Sequence, residues 1–158
     1  MAGAETPTAL NGAGIAAKAI EVGTLMAAKP YVWNGKTTDG FDCSGFVTHV
    51  FKALLPSQAT SFELDVAGFK TSALFEDVAA GSQAAGDLVI FPGGAGAVNH
   101  IGIVLDATYW IGSQSSTGVA KVKFSNTYWG QRTKVFRRVK ALSVAAMGAG
   151  RDVRLRLA

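Results

Sequence analysis

The 158-residue chain holds one cysteine, Cys43, in the stretch FDCSGFVTHVF (41–51), and two histidines, His49 and His100. A lone cysteine makes no intramolecular disulfide, so Cys43 is either a small buried hydrophobe or a nucleophile. A nucleophilic cysteine works as a thiolate, and a helix N-terminus favours that anion through its unpaired N–H groups and its dipole. Asp42 precedes Cys43 at what reads as a capping position, and the apolar residues that follow suit a helix. Gly45 is unusual so early in a helix, which points to close approach of another backbone or a ligand. A nucleophile also needs a base. His49 lies six residues along the same helix, about 600° of turn away, so it faces another side and reads as a surface or half-buried residue. His100 opens the stretch HIGIVLD after the Gly-rich PGGAGAVN. There it is free to project from the rim of a sheet toward a helix N-terminus, the arrangement a Cys–His pair requires.

These residues need elements to hold them. Apolar residues at a spacing near 3.6 predict a helix from about Ala9 to Lys29, weakened by Gly12, Gly14 and Gly23 and ended by Pro30. NGKTTDGFD reads as loop, with Asn-Gly and Asp-Gly turn signals. A second helix is expected from Cys43 or Ser44 to about Leu54, stopping before Pro56. Residues 56–86 read as a polar loop, a short helix near Asp65–Phe69 and an Ala/Gly-rich connector. Five short β-branched or aromatic runs follow, at 87–91, 100–106, 109–114, 118–124 and 134–139, and read as antiparallel strands. Helices first and strands after predict an α+β domain with its helices on one side of the sheet. The chain reads as a single domain over 1–158, with a core at about 9–142 and tails at 1–8 and 145–158.

Several functions are disfavoured. PGGAGAVNH lacks the Lys-Ser/Thr of a phosphate loop and precedes a strand. No Cys/His cluster suggests zinc. No apolar run reaches the length of a membrane span. The first residues show no basic start followed by an apolar stretch, so a chain made in the cytoplasm without a signal peptide is expected. Charge is uneven: residues 1–106 carry five Lys/Arg and ten Asp/Glu, residues 107–158 ten and one. The basic half suits an anionic partner or is a solvated basic face. Aromatic residues are not interleaved with its basic runs, which argues against a nucleic-acid groove.

DCSGFV, GDLVIF and NHIGIVLD, in that order and at those distances, resemble the NlpC-type cysteine peptidases, papain-like enzymes that cut peptidoglycan stem peptides. The resemblance spans about Tyr31–Val139. It implies a papain-like α+β fold with N-terminal helices packed on a five- to six-stranded antiparallel sheet, and cofactor-free, metal-free hydrolysis. Cys43 would be the nucleophile and His100 the base. Tyr31 would contact substrate and oxyanion, and Asp42 and Ser44 would line the stem-peptide pocket. These enzymes usually carry a third polar residue, commonly His, on the next strand, but the matching position here is Gly112. Gln114, two residues on and facing the same way, is the side chain that can orient the imidazole; a main-chain carbonyl near Gly112 is the alternative. The bond expected to be cut joins γ-D-glutamate to the diamino acid, with the crosslink to that diamino acid as the other choice. The resemblance extends to amidases injected into rival bacteria by type VI secretion, which implies delivery to a target periplasm and an immunity protein blocking the cleft; a monomer is expected. A phage lysis enzyme, a non-catalytic wall-binding module and an acyltransferase or deamidase on the same fold are the rival readings.

Overall fold

The computed structural model describes residues 11–27, 29–37, 39–93 and 99–140. The expected tails, the helix start at Ala9 and most of the Gly-rich loop before His100 lie outside the described residues. The first helix, α1, spans Gly12–Leu25, capped by Asn11, whose Oδ1 accepts the Gly14 N–H at 2.7 Å. It ends four residues short of Lys29. Ile15, Ala16, Ala19 and Val22 are its buried face. Helix α2 spans Cys43–Leu54, with Asp42 as its cap. It closes where the Leu55 N–H reaches the Phe51 carbonyl at 2.8 Å, one residue before Pro56. A 3₁₀ helix follows at Pro56–Phe62, then a short helix, α3, at Val66–Thr71, capped by Asp65.

NGKTTDGFD is more ordered than its turn signals predicted. It forms a small antiparallel hairpin, β1 (Lys36–Thr37) with β2 (Gly40–Phe41). The large sheet contains the five expected strands, β4 (Leu88–Phe91), β5 (His100–Val104), β6 (Tyr109–Gln114), β7 (Gly118–Lys123) and β8 (Val135–Val139). It also contains β3 (Phe75–Val78), in a region expected to be connector. FEDV is polar and half exposed, so it carries little strand signal. It is held as an edge by β8 and by Arg137, which donates to Asp77 Oδ1 at 3.0 Å and to the carbonyls of Phe69, Ser72 and Phe75. The strand order among the described residues is β3-β8-β4-β5-β6-β7, antiparallel throughout.

Alternation along the strands gives the sheet two apolar faces. Ile101, Ile103 and Ile111 face α1 and α2, in a core with Phe46, Val47, Val50 and Phe51. Val89, Phe91, Val104, Trp110, Val122 and Phe136 form a second cluster, against which Phe124 and Trp129 of the β7–β8 loop pack. The helices therefore sit on one side, and a loop covers part of the other. Where β5 begins, at His100, its edge meets the start of α2.

Candidate active site

The first turn of α2 is pressed onto the turn before it. The Asp42 N–H donates to the Gly35 carbonyl at 3.0 Å, and Asp42 Oδ1 accepts the Gly45 N–H at 2.6 Å. A side chain at Gly45 would overlap the Gly35 carbonyl oxygen, which is the close backbone approach that a glycine there predicted. Ser44 Oγ lies 3.4 Å from Asp42 Oδ1, and Lys36 Nζ is 4.0 Å from Asp42 Oδ2. Asp42 and Ser44 are thus engaged in holding the helix start around Cys43.

Cys43 is only 9% exposed. Burial, then the neighbouring Asp42 carboxylate, push its thiol up to about 11; the backbone N–H groups of Ser44, Ile101 and Cys43 itself pull the other way. The helix N-terminus does favour the anion, as expected, but desolvation outweighs it. The Ile101 amide acts on the thiol from the residue next to His100, so the fold brings the start of β5 to Cys43. Tyr31 is half-buried at the same place. Burial, then Cys43 and Asp42, raise its phenol, which therefore stays a hydrogen-bond donor at neutral pH.

His100 is 6% exposed, and burial lowers its imidazole to about 4; the bond to Gln114 opposes that shift and Arg132 adds to it. Nε2 and Gln114 Oε1 are 3.1 Å apart. The Gln114 Nε2 donates to Thr117 Oγ1 at 3.2 Å and to the Ala120 carbonyl at 3.5 Å. With both amide hydrogens directed away, Oε1 faces the ring and accepts from Nε2–H, which leaves Nδ1 with the lone pair. Ser113 points to the opposite face, where its Oγ donates to the Phe41 carbonyl at 2.8 Å. A Cβ at Gly112 would stand 2.8 Å from Gln114 Oε1, 3.0 Å from Trp110 Cζ3 and 3.1 Å from the Ile101 carbonyl. The Gln114 amide occupies the room that a side chain at 112 would need.

His49 is not brought to Cys43. It is half-buried, its ring 5.0 Å from that of Phe41, in a separate open cleft of about 630 Å³ with Lys36, Thr48, Lys52 and Glu63. Two aromatic features near the site were not anticipated from the sequence. Trp33, two residues after Tyr31, is 78% exposed. Trp129 lies flat on the His100 imidazole, with ring centroids 4.4 Å apart and planes at 24°. The signal for Trp129 was an aromatic pair, Tyr128-Trp129, in an otherwise polar connection between strands.

Comparison with known proteins matches the NlpC/P60 family over residues 28–138. Over 113 residues the chain is 29% identical to the murein DD-endopeptidase/murein LD-carboxypeptidase MepS of Escherichia coli K12, covering 72% of this chain and 57% of MepS. Over 92 residues it is 37% identical to the gamma-D-glutamyl-L-lysine dipeptidyl-peptidase of Bacillus subtilis 168, covering 57% of this chain and 29% of that protein. The chain therefore spans roughly a third to a little over half of these relatives. Among solved structures, the NlpC/p60 domain of the peptidoglycan hydrolase SagA superposes with a TM-score of 0.56 at 26% identity, over 79% of this chain and 97% of that one.

Proposed function

Because the chain belongs to the NlpC/P60 family, we propose that it hydrolyses peptidoglycan stem peptides by cysteine-dependent acyl transfer, with Cys43, His100 and Gln114 as the reacting unit. One observation carries the reading: the start of α2 meets the start of β5, so the Ile101 amide acts on the Cys43 thiol while His100, the next residue, is held through Nε2 by Gln114. His100 Nδ1 takes the thiol proton as sulfur attacks the amide carbonyl, then returns it to the leaving amine. The oxyanion is held by the Cys43 backbone N–H and the protonated Tyr31 hydroxyl. Water, deprotonated by the same imidazole, then cleaves the thioester. Asp42 and Ser44 hold the turn that frames the stem peptide.

The bond proposed is γ-D-glutamyl–diamino acid, supported by the activity in the name of the Bacillus relative; the name of MepS supports the crosslink instead. Mass spectrometry of purified muropeptides after incubation separates the two, because each cut leaves fragments of different mass. Products from neither cut would remove the hydrolase reading in favour of a wall-binding module. Use as an injected toxin, neutralised by an immunity protein, has the sequence resemblance as its only support. Expression directed to the periplasm tests it: lysis that is prevented by a protein blocking the cleft is the expected result.

A further inference from the structure

We propose that Trp129 is a positioning residue for His100, supplied by the β7–β8 loop, and that its indole fixes the plane of the imidazole while Gln114 fixes one nitrogen. The proposal rests on the reading of His100 as the base. A single hydrogen bond to a neutral amide directs Nε2 but tolerates tilting of the ring about that axis. A flat aromatic contact restrains that tilt, and it is worth about as much as a neutral hydrogen bond. The Trp129 contact is the closest and flattest that His100 makes: Trp110 meets it edge-on at 5.7 Å and 67°, and Phe91 lies at 6.0 Å and 37°.

The loop is built to deliver that indole. Asn126 Oδ1 accepts the N–H groups of Tyr128 and Trp129 at 2.8 and 3.0 Å, and the Asn126 carbonyl accepts the Gly130 N–H at 2.7 Å. Lys134 Nζ closes the far side, donating to the carbonyls of Gly130 and Arg132 at 2.8 and 3.0 Å. The Arg132 guanidinium lies over the Trp129 ring at 5.1 Å and over the Tyr128 ring at 5.6 Å. The indole also excludes water from the imidazole. Among the charged groups, Arg132 of the loop acts on that ring and Lys134 stands behind it, its Nζ 6.0 Å from the Phe91 centroid; Cys43, with Asp42 beside it, is reached through the adjoining residue Ile101, whose amide acts on the thiol. Gln114, Phe91 and Trp110 bring no charge.

The test uses the full chain and two readouts. Nuclear magnetic resonance of labelled histidine gives the His100 midpoint, with His49→Gln assigning the second ring; kinetics on a stem peptide give kcat and KM. In Trp129→Leu the midpoint is expected to rise by about one pH unit or more, because the ring gains solvent. The kcat is expected to fall on the order of tenfold to a hundredfold, as for other small misplacements of a reacting group, with KM held within about twofold. Trp129→Phe keeps a flat ring and should recover most of both. A further measurement needs neither turnover nor a folded leucine variant. Protonated imidazole quenches a stacked indole, so wild-type tryptophan emission should titrate with the His100 midpoint and lose that transition in His100→Gln. Unchanged midpoint and kcat in Trp129→Leu, a Phe variant as impaired as the Leu variant, or emission that ignores the His100 titration would each overturn the proposal. A wild type that cleaves no muropeptide but shows the emission transition and the midpoint shift supports the stacking role and removes only the hydrolase reading.

Discussion

At neutral pH the Cys43 thiol keeps its proton and the His100 imidazole lacks one, because burial disfavours the charged form of each, with the thiol pushed up to about 11 and the imidazole down to about 4. The resting pair is then neutral, and in the proposed reaction charge develops only as sulfur attacks the substrate. Cys43's raised value means that thiolate accumulates only as pH climbs toward that value, so alkylation by iodoacetamide should be slow at pH 7 and rise through the alkaline range. A fast, pH-independent plateau from pH 6 to 8 would instead show a preformed thiolate–imidazolium pair. Gln114 belongs to the same scale. Gln114→Ala should lower kcat about ten- to a thousand-fold with little change in KM, since the loss falls on the transition state. Gly112→His should not rescue it: a side chain there meets the Trp110 ring and the Ile101 carbonyl even after the Gln114 amide is gone. Full activity in Gln114→Ala would pass the orienting role elsewhere. Cys43 and His100 were legible as motif residues, and strand alternation pointed to Gln114. Neither the thiol's proton nor Trp129 was legible, because both depend on burial by segments distant in sequence.

The decisive element is the start of α2, where the Val32–Gly35 turn, the Asp42 cap and Gly45 lock together. A methyl group at Gly45 meets the Gly35 carbonyl first, which is main chain, and then the capping Asp42 Oδ1 at 2.8 Å. Gly45→Ala should therefore cost about 1–3 kcal/mol by overpacking, read as a lower urea midpoint at unchanged slope, and should reduce turnover by shifting Cys43. Wild-type stability in that variant would mean the turn can move away. The bounds of α2 were readable to within about a residue, as Cys43 or Ser44 to about Leu54, because Asp42 and Pro56 punctuate it. Strands β4 to β8 were readable from their β-branched and aromatic runs. Strand β3 was not: FEDV has no apolar alternation, and Arg137, sixty residues on, makes it a strand by tying down Asp77 and three carbonyls. The end of α1 was overestimated because periodicity ran on past Leu25 into the approach to Pro30.

Across the whole molecule, the basic second half is less available than its composition suggests. Arg137 is spent on the β3 edge. Arg138 holds the fully buried Asp87 with two bonds of 2.8 and 2.9 Å. Lys121, Lys123 and Lys140 remain exposed among the described residues, and no helix there is long and apolar enough to cross a membrane. Charges of this kind are screened within about 8 Å at physiological ionic strength. Binding to isolated sacculi should therefore weaken as salt rises, and Lys121→Gln with Lys123→Gln should flatten that dependence. Salt-independent binding would make the basic segment ordinary surface. Net charge was legible from the sequence, but the share of it consumed by internal pairs was not.

In the proposed reaction Cys43 carries the acyl group of a cleaved stem peptide. Rapid-quench intact-mass analysis of the wild-type chain with a stem-peptide substrate tests it most directly. The expected result is a transient mass increase equal to the acyl fragment, mapped to Cys43 by digestion, which appears before free product and is absent in Cys43→Ala together with all cleavage. Product formed without any adduct, or cleavage persisting in Cys43→Ala, would contradict it.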